Sequence, residues 1–211
     1  PSLMPTNKAP PPIRVTLVLP AAKVPAWIQR IQGRLEDAHY VDLTTVALPP
    51  RPGAEPGRPL FFDFWMRLET TVFGHTIVGN EHSEKLVSGR NQPGTLPVDV
   101  DTDVIVWMLP NRPPPEIFGA VKHGVITIAG AFERMFGLNE FLEQNPATRC
   151  DIVALGSEPA EDRVLVSSYA NTDAVLFSRG QNGIRAKCRA LLLATVKRLW
   201  REVDPRHRTP A

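Results

Sequence analysis

Asp103-Val104-Ile105-Val106-Trp107-Met108-Leu109 is the stretch that decides how this chain reads. The run is too short for a helix that buries itself, and its β-branched and aromatic residues mark a buried parallel strand. Pro110, Pro113, Pro114 and Pro115 then punctuate a loop, and Glu116 opens a short helix with Ile117, Phe118 and Val121 on one face. Lys122-His123-Gly124 closes that helix with a basic last turn and a glycine able to take the left-handed cap. Val125-Ile126-Thr127-Ile128 is the next strand. Ligands of open parallel sheets sit at the carboxyl ends of such strands. Here those ends are Asn111-Arg112 and Ala129-Gly130, where a site is expected.

Upstream, Ile13–Leu19 reads as a central strand, and Val24, Trp27, Ile28, Ile31 and Leu35 form a helix stripe. Val41–Leu48 is a second strand, ended by Pro49-Pro50, and Pro50–Pro59 is a loop. A second helix is expected over Leu60–Phe73, with Phe61, Phe64, Trp65, Leu68 and Val72 on one face and Gly74 as its stop. Residues 75–98 have no period and read as a surface wrap with room for a short strand. Downstream, Ala131–Gln144 is a loop or short helix. Asp151–Leu155 and Val164–Ser168 are strands joined by the turn Gly156–Asp162, and Ala174–Phe177 is a further extended piece. The last helix, Gly180–Glu202, carries Ile184, Cys188, Leu191, Leu192, Thr195, Val196 and Leu199 on one face. Strands alternating with helices, then strands bunched late, predict an α/β sheet with a partly antiparallel end. The strands beginning at Ile13, Val41, Asp103 and Val125 are expected to be parallel in one sheet. Leu17, Trp65, Ile105 and Leu192 are expected in the core.

With 211 residues and 43% hydrophobic composition the chain can bury one sizeable core. One domain is expected over 13–203, between a flexible arm at 1–12 and a flexible tail at 204–211. A net charge of +2, from 24 basic against 22 acidic residues, carries no nucleic-acid footprint. The basic face of the last helix (Arg185, Lys187, Arg189, Lys197, Arg198, Arg201) reads as solvated, with anion binding as the alternative. No apolar run approaches the ~18 residues of a membrane span. The polar start Pro1–Pro12 has no hydrophobic leader core, and Cys150 and Cys188 stand in no metal or redox spacing, so a reducing cytoplasm is expected.

The first strand runs into Leu19-Pro20-Ala21-Ala22 rather than a glycine-rich turn, which excludes a dinucleotide fingerprint. There is no P-loop and no nucleophile elbow. His75, Glu81, His82 and Glu84 fit no metal-ligand spacing and read as a surface loop, so no metal site is expected. His123 reads as a helix-end residue meeting the carboxyl-terminal dipole, with a functional role as the alternative.

Asp103-Val104-Ile105-Val106, the helix after it and Lys122-His123-Gly124-Val125-Ile126-Thr127-Ile128 resemble the strand, helix and Arg-His-Gly-Val strand entry of the formyltransferases. Asp162-Arg163-Val164-Leu165 is similar to that family's Gly-x-Val-Leu strand opening, and Ser178-Arg179-Gly180-Gln181-Asn182 to its Ser-x-x-Arg-Asn helix entry. The likeness spans roughly residues 13–200. It leans toward the formyltransferase-like domain found beside glucosamine inositolphosphorylceramide transferases and in bacterial relatives. It implies a three-layer, Rossmann-like α/β fold with a mostly parallel sheet and an antiparallel end.

Formyltransferases work with an Asn–His–Asp trio that polarises the formyl group of a folate donor and shuttles protons. Laid over this chain, the Asn position falls on Thr127 and the His position on Ala129. The Asp position falls near Ala160 in Glu158-Pro159-Ala160-Glu161-Asp162. An alanine side chain can neither accept a proton nor donate a hydrogen bond. The resemblance therefore implies a domain that has lost its trio and serves as a binding or assembly subunit in a bacterial biosynthetic pathway. It would work with a protein partner or as a homo-oligomer, without nucleic acid or a membrane span and without a cofactor. The alternative is a divergent transferase, of formyl or glycosyl groups, acting on an amino sugar or other amine. In it His123, Glu158, Glu161 or Asp162 would carry the acid–base work, and 10-formyltetrahydrofolate would be a formyl transferase's donor. Asn111, Arg112, Thr127, Ser178 and Asn182 are the expected ligand-binding residues for a small amine or sugar.

Overall fold

Val104, Ile105, Val106 and Trp107 are all buried, a pattern that a strand reaches only when both faces of its sheet are covered. That strand lies near the middle of the sheet in a computed structural model of the chain. The structure describes residues 11–20, 24–48, 71, 92–93, 101–130, 137–173 and 177–203. The described strands are β1 (Ile13–Pro20), β2 (Val41–Leu48), β3 (Gln92–Pro93), β4 (Val104–Trp107), β5 (Val125–Ile128), β6 (Ala147–Leu155) and β7 (Arg163–Asn171). The described helices are α1 (Ala26–Glu36), α2 (Leu138–Leu142) and α3 (Phe177–Val203). The sheet order is β3-β2-β1-β4-β5-β6-β7. β1 pairs in parallel with β2 and β4, β2 with β3, and β4 with β5, whereas β6 and β7 run antiparallel. The four strands expected to be parallel are so, and the late strands form the antiparallel end.

Two apolar clusters cover the two faces. On one, Trp27, Ile28, Ile31 and Leu35 of α1 and Ile184, Cys188, Leu192 and Val196 of α3 pack on Leu17, Val106, Ile126 and Ile152. On the other, Val18, Ile105, Trp107, Leu109 and Val125 are covered by Ile117, with Phe118 and Val121 at the margin. The expected apolar face after Glu116 is therefore present, but the element is a single 3-10 turn, Pro115–Ile117. The chain has to return to the start of β4, where the His123 N–H donates to the Asp103 carbonyl at 2.7 Å. Few residues remain for that return, and Gly119 favours no second turn.

Gly124 takes φ +77°, the left-handed conformation expected of it. At the other end of the chain, Phe177 opens α3 rather than closing an extended piece. Its ring is buried 5.6 Å from that of Phe141 in α2, so packing decides its conformation. Residues 174–176 of that piece, the expected helix over 60–73 apart from Thr71, and Trp65 lie outside the described residues. The short strand allowed for in 75–98 exists as β3.

Candidate functional site

β4 and β5 position the first part of the site. Ile105 opposes Val125 and Val106 opposes Ile126, which sets Trp107 level with Thr127. The Thr127 hydroxyl donates to the Trp107 carbonyl at 2.7 Å. The Trp107 indole N–H donates to the Asn111 carbonyl at 2.6 Å. This bond turns the chain back on itself just past the strand. Ala129, the first residue past β5, has only a methyl side chain, and its backbone N–H donates to the Asp151 carbonyl at 3.1 Å.

Arg112 is drawn away from that end of the sheet. Leu155 opposes Val125, so the turn after Leu155 lies at the amino end of β5. Arg112 reaches this turn: Nη2 donates to the Gly156 carbonyl at 2.7 Å, and Nη1 and Nη2 grip Asp162 at 3.0 and 2.6 Å. Asp162 also accepts from the Gly156 N–H at 3.0 Å. The paired hydrogen bonds from Arg112 hold the Asp162 carboxyl below the usual carboxylate range. In the same turn Glu161 accepts from the Ser157 hydroxyl and N–H, both at 2.8 Å, and from the Glu158 N–H at 3.3 Å. The hydroxyl bond first, then those from the two backbone N–H groups, lower the Glu161 carboxyl as well. An added Cβ on Gly156 would collide with Glu161, so the turn closes only around a glycine.

His123 sits beneath β4. Its Nε2 is buried without a hydrogen-bond partner, and burial, then the nearby Lys122, pushes the imidazole below its ordinary value. Neutral imidazole is the form the site favours. Ser178 and Asn182 belong to the first turns of α3, on the side where Ala147 pairs with Asn171.

The expected site residues thus fall in separate places. Arg112, Asp162 and Glu161 come together in one turn, with Glu158 beside them. Thr127 and Asn111 meet around Trp107. His123 lies just before the amino end of β5, and the chain from Val125 to Ala129 spans roughly 13 Å at ~3.3 Å per residue. The Arg112 side chain is committed to the β6–β7 turn rather than to Ala129-Gly130. Among the described residues no three His, Cys, Asp or Glu side chains are grouped to hold a metal ion. His75, Glu81, His82 and Glu84 lie outside those residues.

An ion pair that the sequence reading passed over stands at the amino edge. Arg14 donates from Nε and Nη2 to the Asp103 carboxylate at 3.2 and 3.1 Å, its backbone N–H adds a bond at 3.0 Å, and it also meets Asp101. Burial works against the Asp103 charge, but the bonds from Arg14 outweigh it and the carboxyl lies low. The visible signal was a lone arginine inside the apolar run Ile13–Leu19.

No protein-family model matches the chain, and no curated protein matches its sequence. Its fold, however, is that of the formyltransferases. The phosphoribosylglycinamide formyltransferase of Campylobacter jejuni superposes with a TM-score of 0.52 at 8% identity, over 91% of this chain and 100% of that one. That of Streptococcus pneumoniae gives 0.50 at 11% identity, over 89% and 99%. The Bacillus halodurans enzyme gives 0.50 at 12%, over 88% and 94%. At such identities the likeness establishes a shared fold.

Proposed function

We propose that this chain is a formyltransferase-fold domain that has lost the Asn–His–Asp trio and acts as a binding or assembly subunit in a biosynthetic pathway. The observation that carries the reading is the state of β5. Thr127 spends its hydroxyl proton on the Trp107 carbonyl, and Ala129 has no side-chain group to move a proton. Two carboxylates of the acidic turn give further support. Asp162 is committed to Arg112 and Glu161 to Ser157, and both are held in the ionised form, which is a poor general acid near neutral pH. A pocket wall such as Trp107–Asn111 can bind a small amine, a sugar or the folate without this chemistry.

The second reading is a divergent transferase, of formyl or glycosyl groups, acting on an amino sugar or other amine. His123 favours it most, as a buried imidazole held neutral with a free ring nitrogen. Mass measurement of the natively purified protein separates the readings. The subunit reading expects a stoichiometric complex heavier than the 23.4 kDa chain, with a partner or a second copy. A monomer without turnover would remove the assembly role, and a monomer that modifies amines would establish the transferase.

A further inference from the structure

The last turns of α3 meet the α1–β2 corner at the amino edge of the sheet, the end opposite Thr127 and Ala129. Two hydrogen bonds tie the Tyr40 backbone and the Trp200 ring to the start of β1. The Tyr40 carbonyl accepts from the Ile13 N–H at 2.8 Å, and the Trp200 indole N–H donates to the Pro11 carbonyl at 3.1 Å. Tyr40 and Trp200 lie 5.4 Å apart at 34°, and His39 meets them edge-on at 5.4 and 6.2 Å. Lys197 Nζ stands 5.9 Å from the Tyr40 ring. His39, Trp200, Lys197, Arg198, Arg201 and Glu202 line an open groove of about 600 Å³.

We infer that this groove binds a nucleoside phosphate. Among the described residues that line the groove, Lys197, Arg198 and Arg201 are set against one carboxylate, Glu202, which lies 3.6 Å from Arg198. The surplus positive charge calls for an anion. Trp200 is half-buried against Tyr40, whereas His39, set at 84° to it, is exposed and supplies the flat ring on which a base would stack in the manner of single-strand binding sites. The volume falls within the ~300–1,000 Å³ of small-ligand pockets. A polymer would need basic surface running on beyond the groove, and the chain as a whole carries only +2. The anion site open to the basic helix face thus falls on its last two turns, away from Arg185, Lys187 and Arg189.

Calorimetry at low salt tests the assignment with ATP, tripolyphosphate, adenosine and a short single-stranded RNA. ATP should bind one to one, with tripolyphosphate and adenosine each at least tenfold weaker, since each offers half the ligand. Lys197→Ala and Arg201→Ala, at exposed positions, should weaken ATP at least tenfold while thermal unfolding stays unchanged. His39→Ala should bring ATP toward tripolyphosphate. Absence of ATP binding at millimolar concentration would overturn the proposal. So would ATP and tripolyphosphate binding alike with no response to His39→Ala, which would leave a plain anion patch, or RNA binding more tightly than ATP.

Discussion

Arg112 binds a backbone carbonyl and a carboxylate at once, tying the crossover between β4 and β5 to the hairpin of β6 and β7. Asp162→Asn should cost about 1 kcal/mol in urea unfolding, less than a buried charge-assisted bond because both side chains remain partly exposed. Acid should lower the stability of the protein in two stages. His123 has a folded value below its ordinary 6.5. The unfolded chain therefore binds the extra proton first, and stability drops as pH falls below about that value. Asp103 and Asp162 are held low, so their contribution is complete above the ordinary carboxylate value of 3.8 and is lost as pH falls through their folded values. Unfolding free energies of wild type and His123→Gln from pH 7.5 to 3 check this, and the variant should lack the first stage. Cys150 and Cys188 are both buried, and hydrogen bonding with Cys150, then burial, drives the Cys188 thiol up. Iodoacetamide should label neither in the native protein and both after denaturation.

Among the elements, β4 has the most to lose. Ile105 is 6% exposed beneath Ile117 and beside Val125, and Ile105→Ala should cost about 2–5 kcal/mol in denaturant unfolding. Gly124→Ala should cost about 1–2 kcal/mol by a different route. No atom obstructs the added methyl, so the penalty is the left-handed backbone itself. Both residues were legible in the sequence, one from an apolar run between polar flanks and the other from its place after a basic turn. The helix after Glu116 was legible as an apolar face but not as an element. Its length is set by the bond from His123 to Asp103, a contact between residues twenty apart that periodicity does not carry. Phe177 misled for the same reason, since its partner Phe141 lies in another element.

At the scale of the molecule, parallel pairing of β1, β2, β4 and β5 followed from the alternation of strand and helix patterns, and the late strands gave the antiparallel end. The separation of the candidate residues did not follow. It depends on register: Leu155 opposite Val125 carries the acidic turn to one end of β5, while Ala129 stands at the other. The chain has the formyltransferase fold, and the proposal that it lacks the proton-transfer chemistry is open to a direct measurement. General acid–base catalysis is worth ~10²–10⁴-fold and an oxyanion donor ~10²–10³-fold, so their loss together is large enough to read. The direct test incubates the purified chain with 10-formyltetrahydrofolate and a panel of amino sugars and other amines, and detects formylated product by mass spectrometry. No product above the protein-free reaction is expected. Formylation by the wild type that disappears in His123→Ala, Glu158→Gln, Glu161→Gln or Asp162→Asn would contradict the proposal.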